Sequence, residues 1–356
     1  MSDIPKTMRA AVYRGVNDLR VERVPVPRIG AGELLVRVAA CGVCPTDIKK
    51  IHYGTVPPPR IFGHETAGII VQVGARVRGF RAGERVALHH HVPCRKCHAC
   101  RHGAFAQCPQ YLKTGITAGF EPAGGGYAEF VRVMDFCLPG VVKIPMRNSF
   151  LEGAMVEPVN TVLKGVNKLH LLKGDTVLVI GQGPIGLMFT RLLALRGVNV
   201  VATDLMPTRQ RLAKEFGAST VLRGDTKNLP ERIARLTHGR GLDAVVVAVS
   251  VDALVTQALA LVRGAGQVLL FAHTKRGAVL PLDLATVCVD EKDVIGSYSS
   301  DITIQEEVAQ LVFSRRMDVR RLITHIFPLE ETAAGVELAA HPTIKSLKVM
   351  VTHGPR

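Results

Sequence analysis

The stretch Thr176 to Asp204, TVLVIGQGPIGLMFTRLLALRGVNVVATD, decides the fold. An apolar run, three glycines, a helix-like stretch, a second apolar run and an acid follow one another in the order of a single βαβ unit. Val177 to Ile180 suit a strand buried on both faces. Gly181, Gly183 and Gly186 stand in G-x-G-x-x-G spacing, which allows a tight turn and close approach of the backbone to a pyrophosphate. The helix starts there, with Pro184 and Ile185 ahead of the third glycine, and its unpaired N–H groups and positive dipole end are ready to receive phosphates. Val198 to Thr203 form the second strand. Asp204 closes it, where a carboxylate accepts hydrogen bonds from both hydroxyls of an adenosine ribose. No cation follows Asp204 directly, and Arg209, five residues on, is the first candidate to meet the coenzyme. These features point to NAD rather than NADP. A bare GxGxxG is weak evidence; the ordered unit with its terminal acid is what distinguishes a dinucleotide site from a glycine-rich turn that binds nothing.

Outward from this unit, 356 residues exceed an ordinary single domain and imply two, with a sizeable core. A chain that is 47% hydrophobic and 21% charged fits a soluble globular protein. The formal charge of +15 raises the question of nucleic acid, but Lys and Arg are dispersed among apolar segments and no basic run interleaved with aromatics occurs. No nucleic-acid partner is expected. The opening MSDIPKTMRAAVYRGV has no apolar h-region, and no apolar run approaches the roughly 18 residues that span a bilayer, so no membrane association and a cytoplasmic location are expected.

From Met8 to about Val142 come short β-like runs, among them AAVYRG, LRVERV, ELLVRVAA, TAGIIVQVG, RVAL and YAEFVRV, separated by Gly, Pro and charged turns. Pro57, Pro58 and Pro59 exclude helix locally. Further on the pattern alternates strands (TVLVIG, VNVVATD, STVLRG, DAVVVAVS, GQVLLFA, DVIGSY) with helical stretches, and six such strands make a doubly wound parallel sheet. The last sixty or so residues hold a helix (IQEEVAQLVFSRR), an ITHIFPLEE segment and a SLKVMVT strand, whose placement patterning alone leaves open.

Two groups of residues have the makings of metal sites. Four of the eight cysteines, Cys94, Cys97, Cys100 and Cys108, stand as C-x2-C-x2-C-x7-C. They are too crowded for several unstrained disulfides, whereas four thiolates close a tetrahedron around zinc and leave no position for water, a structural site. His89, His90, His91, His98 and His102 lie close by, but thiolates already satisfy such an ion, so these histidines are expected on the lobe surface. The second group is sparser: Cys44 in CGVCPTD, and His64 with Glu65 in GHE. One thiolate, one imidazole and one carboxylate hold zinc with a position left for substrate, the open geometry of catalysis. Taken singly, each also reads blandly, Cys44 and Cys41 as small buried hydrophobes and His64 as a satisfied core histidine.

CGVCPTD, GHETAG, the four-cysteine lobe, GGGYAEF, MVEPVN, VIGQGPIG and VATD together resemble the zinc-containing medium-chain dehydrogenase/reductase family, most closely its polyol (sorbitol) and threonine dehydrogenase branch. The resemblance runs over nearly the whole chain. It implies an α/β protein made of a GroES-like, mostly β catalytic domain (residues 1–156, with the zinc lobe at 89–112), a Rossmann NAD-binding domain (157–295) and a C-terminal segment (296–356) returning to the catalytic domain. It implies two zinc ions per chain, NAD as coenzyme and a homo-oligomer, dimer or tetramer. Cys44 and His64 become catalytic zinc ligands, with Glu65 and Glu157 supplying the carboxylates, directly or through water. Thr46 stands at the position whose hydroxyl takes the proton of the bound alcohol; otherwise it is a turn hydroxyl paired with local backbone. Asp47 reads as structural. Ala248 to Ser250, the segment around Ala272 and the SYSS after Gly296 match stretches beside the nicotinamide.

One position departs from the pattern. Many alcohol and polyol members carry a histidine five residues after the zinc cysteine, at the outer end of the proton path, where this chain has Lys49. Lys49 relays protons if its pKa is lowered, meets an anionic substrate group, or is merely solvated. The resemblance implies oxidation of a secondary alcohol of a polyol, sugar or cyclitol. An amino alcohol such as threonine or an aminocyclitol is the alternative, and a zinc-binding nucleic-acid or regulatory protein a remote one. An open metal set upstream of an intact GQGPIG loop argues for the enzyme, since a binding module has no use for it.

Overall fold

A computed structural model describes residues 4–89, 92–114, 123–272, 277 and 279–354. They form two compact units, one running to Asn160 and resuming at Ser299, the other spanning Thr161–Tyr298.

The first unit is built mainly of antiparallel sheet. Strands β1 (Thr7–Gly15), β2 (Asp18–Pro25) and β4 (Arg60–Ile61) make a three-stranded sheet in the order β2-β1-β4. The larger sheet centres on β3 (Leu34–Gly42). Its neighbour β5 (Glu65–Val73) leads to β6 (Arg85–Leu88) and β8 (Val142–Lys143). The other edge of β3 is shared by two partners. β7 (Phe130–Val133) pairs with Leu34 to Arg37, and the C-terminal β16 (Lys348–Thr352), itself parallel to β15 (Ile323–Pro328), pairs with Ala40 to Gly42. Gly42 therefore lies between Glu65 on one side and Met350 on the other. Leu35, Cys41, Phe62, Tyr127 and Val351, all at most 1% exposed, pack in one core against Tyr13 and Val12 of β1.

Two helices of this unit bear on the site. α1 (Pro45–Tyr53) leaves β3 directly, with Cys44 as its N-cap, Pro45 in the first turn and Gly54 closing it at φ +61, a left-handed conformation that glycine adopts without strain. α2 (Val156–Asn167) starts with Glu157 in its first turn, and the division between the two units falls within it.

The second unit is the doubly wound sheet expected from the alternating pattern. β9 (Thr176–Ile180), β10 (Asn199–Asp204), β11 (Thr220–Arg223), β12 (Leu242–Val247), β13 (Val262–Leu270) and β14 (Asp293–Gly296) run parallel in the order β11-β10-β9-β12-β13-β14. The order reverses between β9 and β12, the crevice where such sheets bind ligands beyond the strand ends. β9 and β12 are buried throughout, as strands covered on both faces must be. α3 (Pro184–Leu195) connects β9 to β10, and the chain's last helix, α4 (Thr332–Ala340), lies in the first unit. No helix among the described residues is long and apolar enough to cross a membrane.

Candidate active site

At the end of β3 the chain turns into α1 and sets Cys44 facing the start of β5. The metal-ligating atoms of Cys44, His64 and Glu65 lie within 4.8 Å of one another. Cys44 is half-buried, while His64 and Glu65 are only 5% and 2% exposed. Glu65 reaches into space that exists because residue 42 is glycine: a Cβ there would stand 1.8 Å from Oε2 of Glu65.

Each of these groups is held by a neighbour. Asp47, in the first turn of α1 and fully buried, places Oδ1 3.2 Å from Nδ1 of His64, the carboxylate-to-imidazole contact that orients a ring and leaves Nε2 for a metal. Burial disfavours the charged imidazolium, but the charges of Asp47 and Cys44 outweigh it and hold the pKa of His64 well above its ordinary value. The same contact holds the Asp47 carboxyl below its ordinary range despite burial. The Tyr127 hydroxyl, from the GGGYAEF segment, donates toward Oδ2 of Asp47 at 3.4 Å. Lys348, the first residue of β16, pairs with Oε2 of Glu65 and donates to the carbonyl of Val43 at 2.9 Å. Burial alone would depress the ammonium's pKa, but the charges of Glu65 and Cys44 raise it.

Glu157 is outside this three-residue cluster but close enough to respond to it. Its burial, opposed by His64 and reinforced by Glu65, pushes its carboxyl up to about 7. Thr46 is half-buried in the first turn of α1, and Lys49 lies one turn further along, where burial lowers its pKa against the opposing charge of Cys44. Sequence reasoning passed over Lys348 and Tyr127 and read Asp47 only as structural. Asp47 and Tyr127 stood within quoted motifs, but Lys348 sits in a terminal strand with no local signal.

The lobe cysteines are also gathered. All four sulfurs lie within 4.8 Å of one another, with Cys97 Sγ 3.5 Å and Cys94 Sγ 4.0 Å from Cys100 Sγ. Those spacings are far longer than a disulfide and match the edge of a tetrahedron of sulfurs set about 2.3 Å from zinc. Backbone N–H groups of Lys96 and Cys97 draw the Cys94 thiol down to about 6, as a metal-binding thiolate requires. Of the neighbouring histidines, His98 and His102 are exposed, and His90 and His91 lie outside the described residues. The expectation that all five lie on the lobe surface fails at His89, which is 1% exposed and hydrogen-bonded through Nε2 to the Ser300 hydroxyl at 3.0 Å. The strand RVAL, buried continuously from Val86 to Leu88, carries it inward.

In the second unit the glycines form the tight turn that their spacing suggested. Gly181 has φ +88, and a Cβ on Gly186 would fall 1.7 Å from the carbonyl oxygen of Gly181, so turn and helix close on each other only without a side chain. Gly183 caps α3, with Pro184 and Ile185 opening its first turn. Asp204 is 9% exposed, and its carboxylate accepts from Gln182 N (2.7 Å) and Met206 N (2.8 Å), which fixes it beside the turn. Gln182, unread in the motif, is buried and accepts from the Thr190 hydroxyl at 2.8 Å. A guanidinium nitrogen of Arg209 lies 4.0 Å from where a Cβ on Gly183 would be, which brings a positive charge to the glycine turn. Ala248 to Ser250 follow β12 and Ser297 to Ser300 follow β14; His273 of the FAH segment lies outside the described residues.

Residues 30–145 match the model of the alcohol dehydrogenase GroES-like domain, and residues 184–314 that of the zinc-binding dehydrogenases. A sorbitol dehydrogenase of Bacillus subtilis is 31% identical, the alignment covering 98% of both chains, and one of Bombyx mori is 32% identical over 93% and 94%. Among solved structures, a putative zinc-binding dehydrogenase from Sinorhizobium meliloti, bound to NADP, superposes with a TM-score of 0.88 at 28% identity over 98% of this chain and all of that one. The chain belongs to the zinc-containing medium-chain dehydrogenase/reductase family, in its polyol branch, and is a zinc- and nicotinamide-dependent oxidoreductase of alcohols.

Filling the glycine space should disturb this centre directly. Gly42→Ala sets a methyl against Glu65 and Lys348, and overpacking of this kind costs about 1–3 kcal/mol. The thermal midpoint should fall by several degrees, and a midpoint equal to wild type would show that Glu65 lies elsewhere.

Proposed function

We propose that this chain oxidises a secondary alcohol of a polyol, sugar or cyclitol to the ketone with NAD, in the cytoplasm, as a dimer or tetramer. The observation that carries the reading is the gathering of a thiolate, an imidazole and a carboxylate in one place. The metal-ligating atoms of Cys44, His64 and Glu65 lie within 4.8 Å of one another, with Asp47 set against His64 and Lys348 against Glu65. One thiolate, one imidazole and one carboxylate at that spacing are a donor set for zinc that leaves a position for substrate.

In this reading Cys44, His64 and Glu65 hold the catalytic zinc, with Glu157 as the second carboxylate, and Cys94, Cys97, Cys100 and Cys108 hold the structural one. Zinc bound at the first site supplies a Lewis acid that lowers the pKa of an alcohol. NAD supplies the hydride acceptor, seated by Gly181, Gly183, Pro184, Ile185 and Gly186, with Asp204 at the ribose and Arg209 beside the pyrophosphate. The chain's own residues then handle the proton: the Thr46 hydroxyl accepts it, and Lys49, further along α1, passes it outward. The exposed Leu284, Val287, Val289 and Val294, at and before the edge strand β14, support self-association, and light scattering tests it. NADH formation across a panel of polyols, cyclitols, aminocyclitols and threonine tests the substrate class. Turnover confined to threonine or aminocyclitols would favour the amino-alcohol alternative.

Metal analysis of the purified enzyme should find two zinc ions per chain. Cys97→Ser should lower the thermal midpoint, because the lobe has no open position, whereas Cys44→Ser should abolish turnover with a smaller effect on stability. One zinc or fewer after metal-replete expression would overturn the scheme.

NAD should be preferred by roughly a hundredfold or more in kcat/KM, the equivalent of a few kcal/mol of repulsion between Asp204 and a 2′-phosphate. Asp204→Ser should narrow the gap, all the more because Arg209 is near the turn. Equal efficiency with both coenzymes in the wild type would refute the assignment.

For Lys49 the neutral amine is the form that accepts a proton, so kcat for oxidation should rise with pH through its lowered pKa. Lys49→Met should remove that limb and lower kcat by roughly ten- to a thousandfold, with partial recovery in small amines. A rise in KM confined to anionic substrates would instead assign Lys49 to substrate binding. Both constants within about twofold of wild type across the pH range would leave it a solvated lysine.

A further inference from the structure

Two buried side chains in and beside the cysteine lobe reach the segment on which the chain returns from the doubly wound sheet. Tyr111, on the short helix Pro109–Thr114, packs in one cluster with Cys100 and Cys108, and its hydroxyl shares a hydrogen bond with the hydroxyl of Ser299. His89, directly after β6, is hydrogen-bonded through Nε2 to the hydroxyl of the buried Ser300. Ser299 is the residue at which the chain re-enters the first unit, shortly after Gly296 ends β14. It has φ +59, a left-handed conformation that a residue with a Cβ keeps only where its surroundings hold it.

The tie continues past the two serines. Asp301 donates its N–H to Oδ1 of Asn160 at 2.8 Å, and its carbonyl accepts from Nδ2 of Asn160 at 2.9 Å. Gln305 accepts from the same Nδ2 at 2.8 Å and donates through Nε2 to the carbonyl of Gly140 at 3.0 Å. Asn160 is wholly buried and is the residue at which the chain leaves the first unit. The residues of departure and return are thus fastened to one another, and the return is fastened to the lobe. A phenylalanine at 111 would bury the same ring, so what the Tyr111 hydroxyl adds is a fixed place for Ser299.

We propose that Tyr111 and His89 are positioning residues that carry the order of the zinc lobe to Ser299 and Ser300, and so set the backbone after β14 on which coenzyme affinity depends. With zinc bound, Cys100 and Cys108 are a fixed platform for the Tyr111 ring. This role rests on the reading of the doubly wound unit as the NAD site, because the segment extends the carboxyl end of β14, the side on which such sheets take their ligands. The lobe then acts on the coenzyme as well as on its own stability.

The test compares wild type with Tyr111→Phe, Ser299→Ala, their double variant and Cys97→Ser, by zinc content, hydrogen–deuterium exchange and NAD titration calorimetry. Tyr111→Phe should keep two zinc ions per chain, yet exchange at the backbone amides of residues 299–301 should quicken and the NAD Kd should rise, each by roughly three- to tenfold, as loss of one hydrogen bond implies. Ser299→Ala should do the same, and the double variant should do no more than either, since all three break one contact. Cys97→Ser should loosen the same amides and weaken NAD, with no further loss when Tyr111→Phe is added; His89→Phe and Ser300→Ala should behave as a second such pair. Exchange and NAD affinity within about twofold of wild type in Tyr111→Phe, or single effects that add in the double variant, overturn the proposal. A wild type that binds no NAD overturns the coenzyme reading instead, and the exchange comparison then decides the tether on its own.

Discussion

The catalytic end of the first unit depends on one constraint: charged side chains that are almost wholly buried must find opposite charge within the protein. Glu65, Asp47, His64 and Lys348 are each at most 5% exposed and lie where β3, β5 and β16 meet. Gly42 makes room for the Glu65 carboxylate, and Lys348 pairs with it from a strand 305 residues along the chain from the Val43 carbonyl that also receives its ammonium. Breaking such a pair costs more than making it gains, because the remaining charge is left buried without a partner. The C-terminal strand is thus tied to the metal-binding chemistry of the first sixty-five residues and not only to their sheet.

The coenzyme turn obeys a similar economy with backbone groups in place of charges. Asp204 receives the N–H of Gln182 and that of Met206, and the Gln182 side chain turns inward to Thr190. The acid proposed to face the ribose is therefore part of the frame that shapes the glycine loop. Changing it to alter coenzyme choice also removes two hydrogen-bond acceptors from that frame. A positively charged Arg209 beside the turn lets the neighbourhood tolerate more negative charge than Asp204 alone suggests.

What could be read from the sequence was whatever depends on local spacing. The βαβ unit, the six parallel strands and the cysteine quartet are written in short windows, because strand alternation, glycine geometry and tetrahedral ligation each need only neighbouring residues. Lys348 has no such window: a lysine opening an apolar strand looks like any edge residue until the fold brings it to Glu65. His89 was misread because its place beside a thiolate quartet that already satisfies an ion suggested the lobe surface, whereas the strand before it carries it inward to Ser300.

The central claim is that the Cys44, His64 and Glu65 cluster holds a metal in addition to the ion of the cysteine lobe. Zinc K-edge X-ray absorption of the purified enzyme tests it most directly. The account predicts two resolved shells, sulfur at about 2.3 Å and nitrogen or oxygen at about 2.0–2.1 Å, in a ratio of roughly five sulfurs to three lighter atoms once water completes the open site. A pure sulfur shell would mean that zinc occupies only the lobe, and would contradict it.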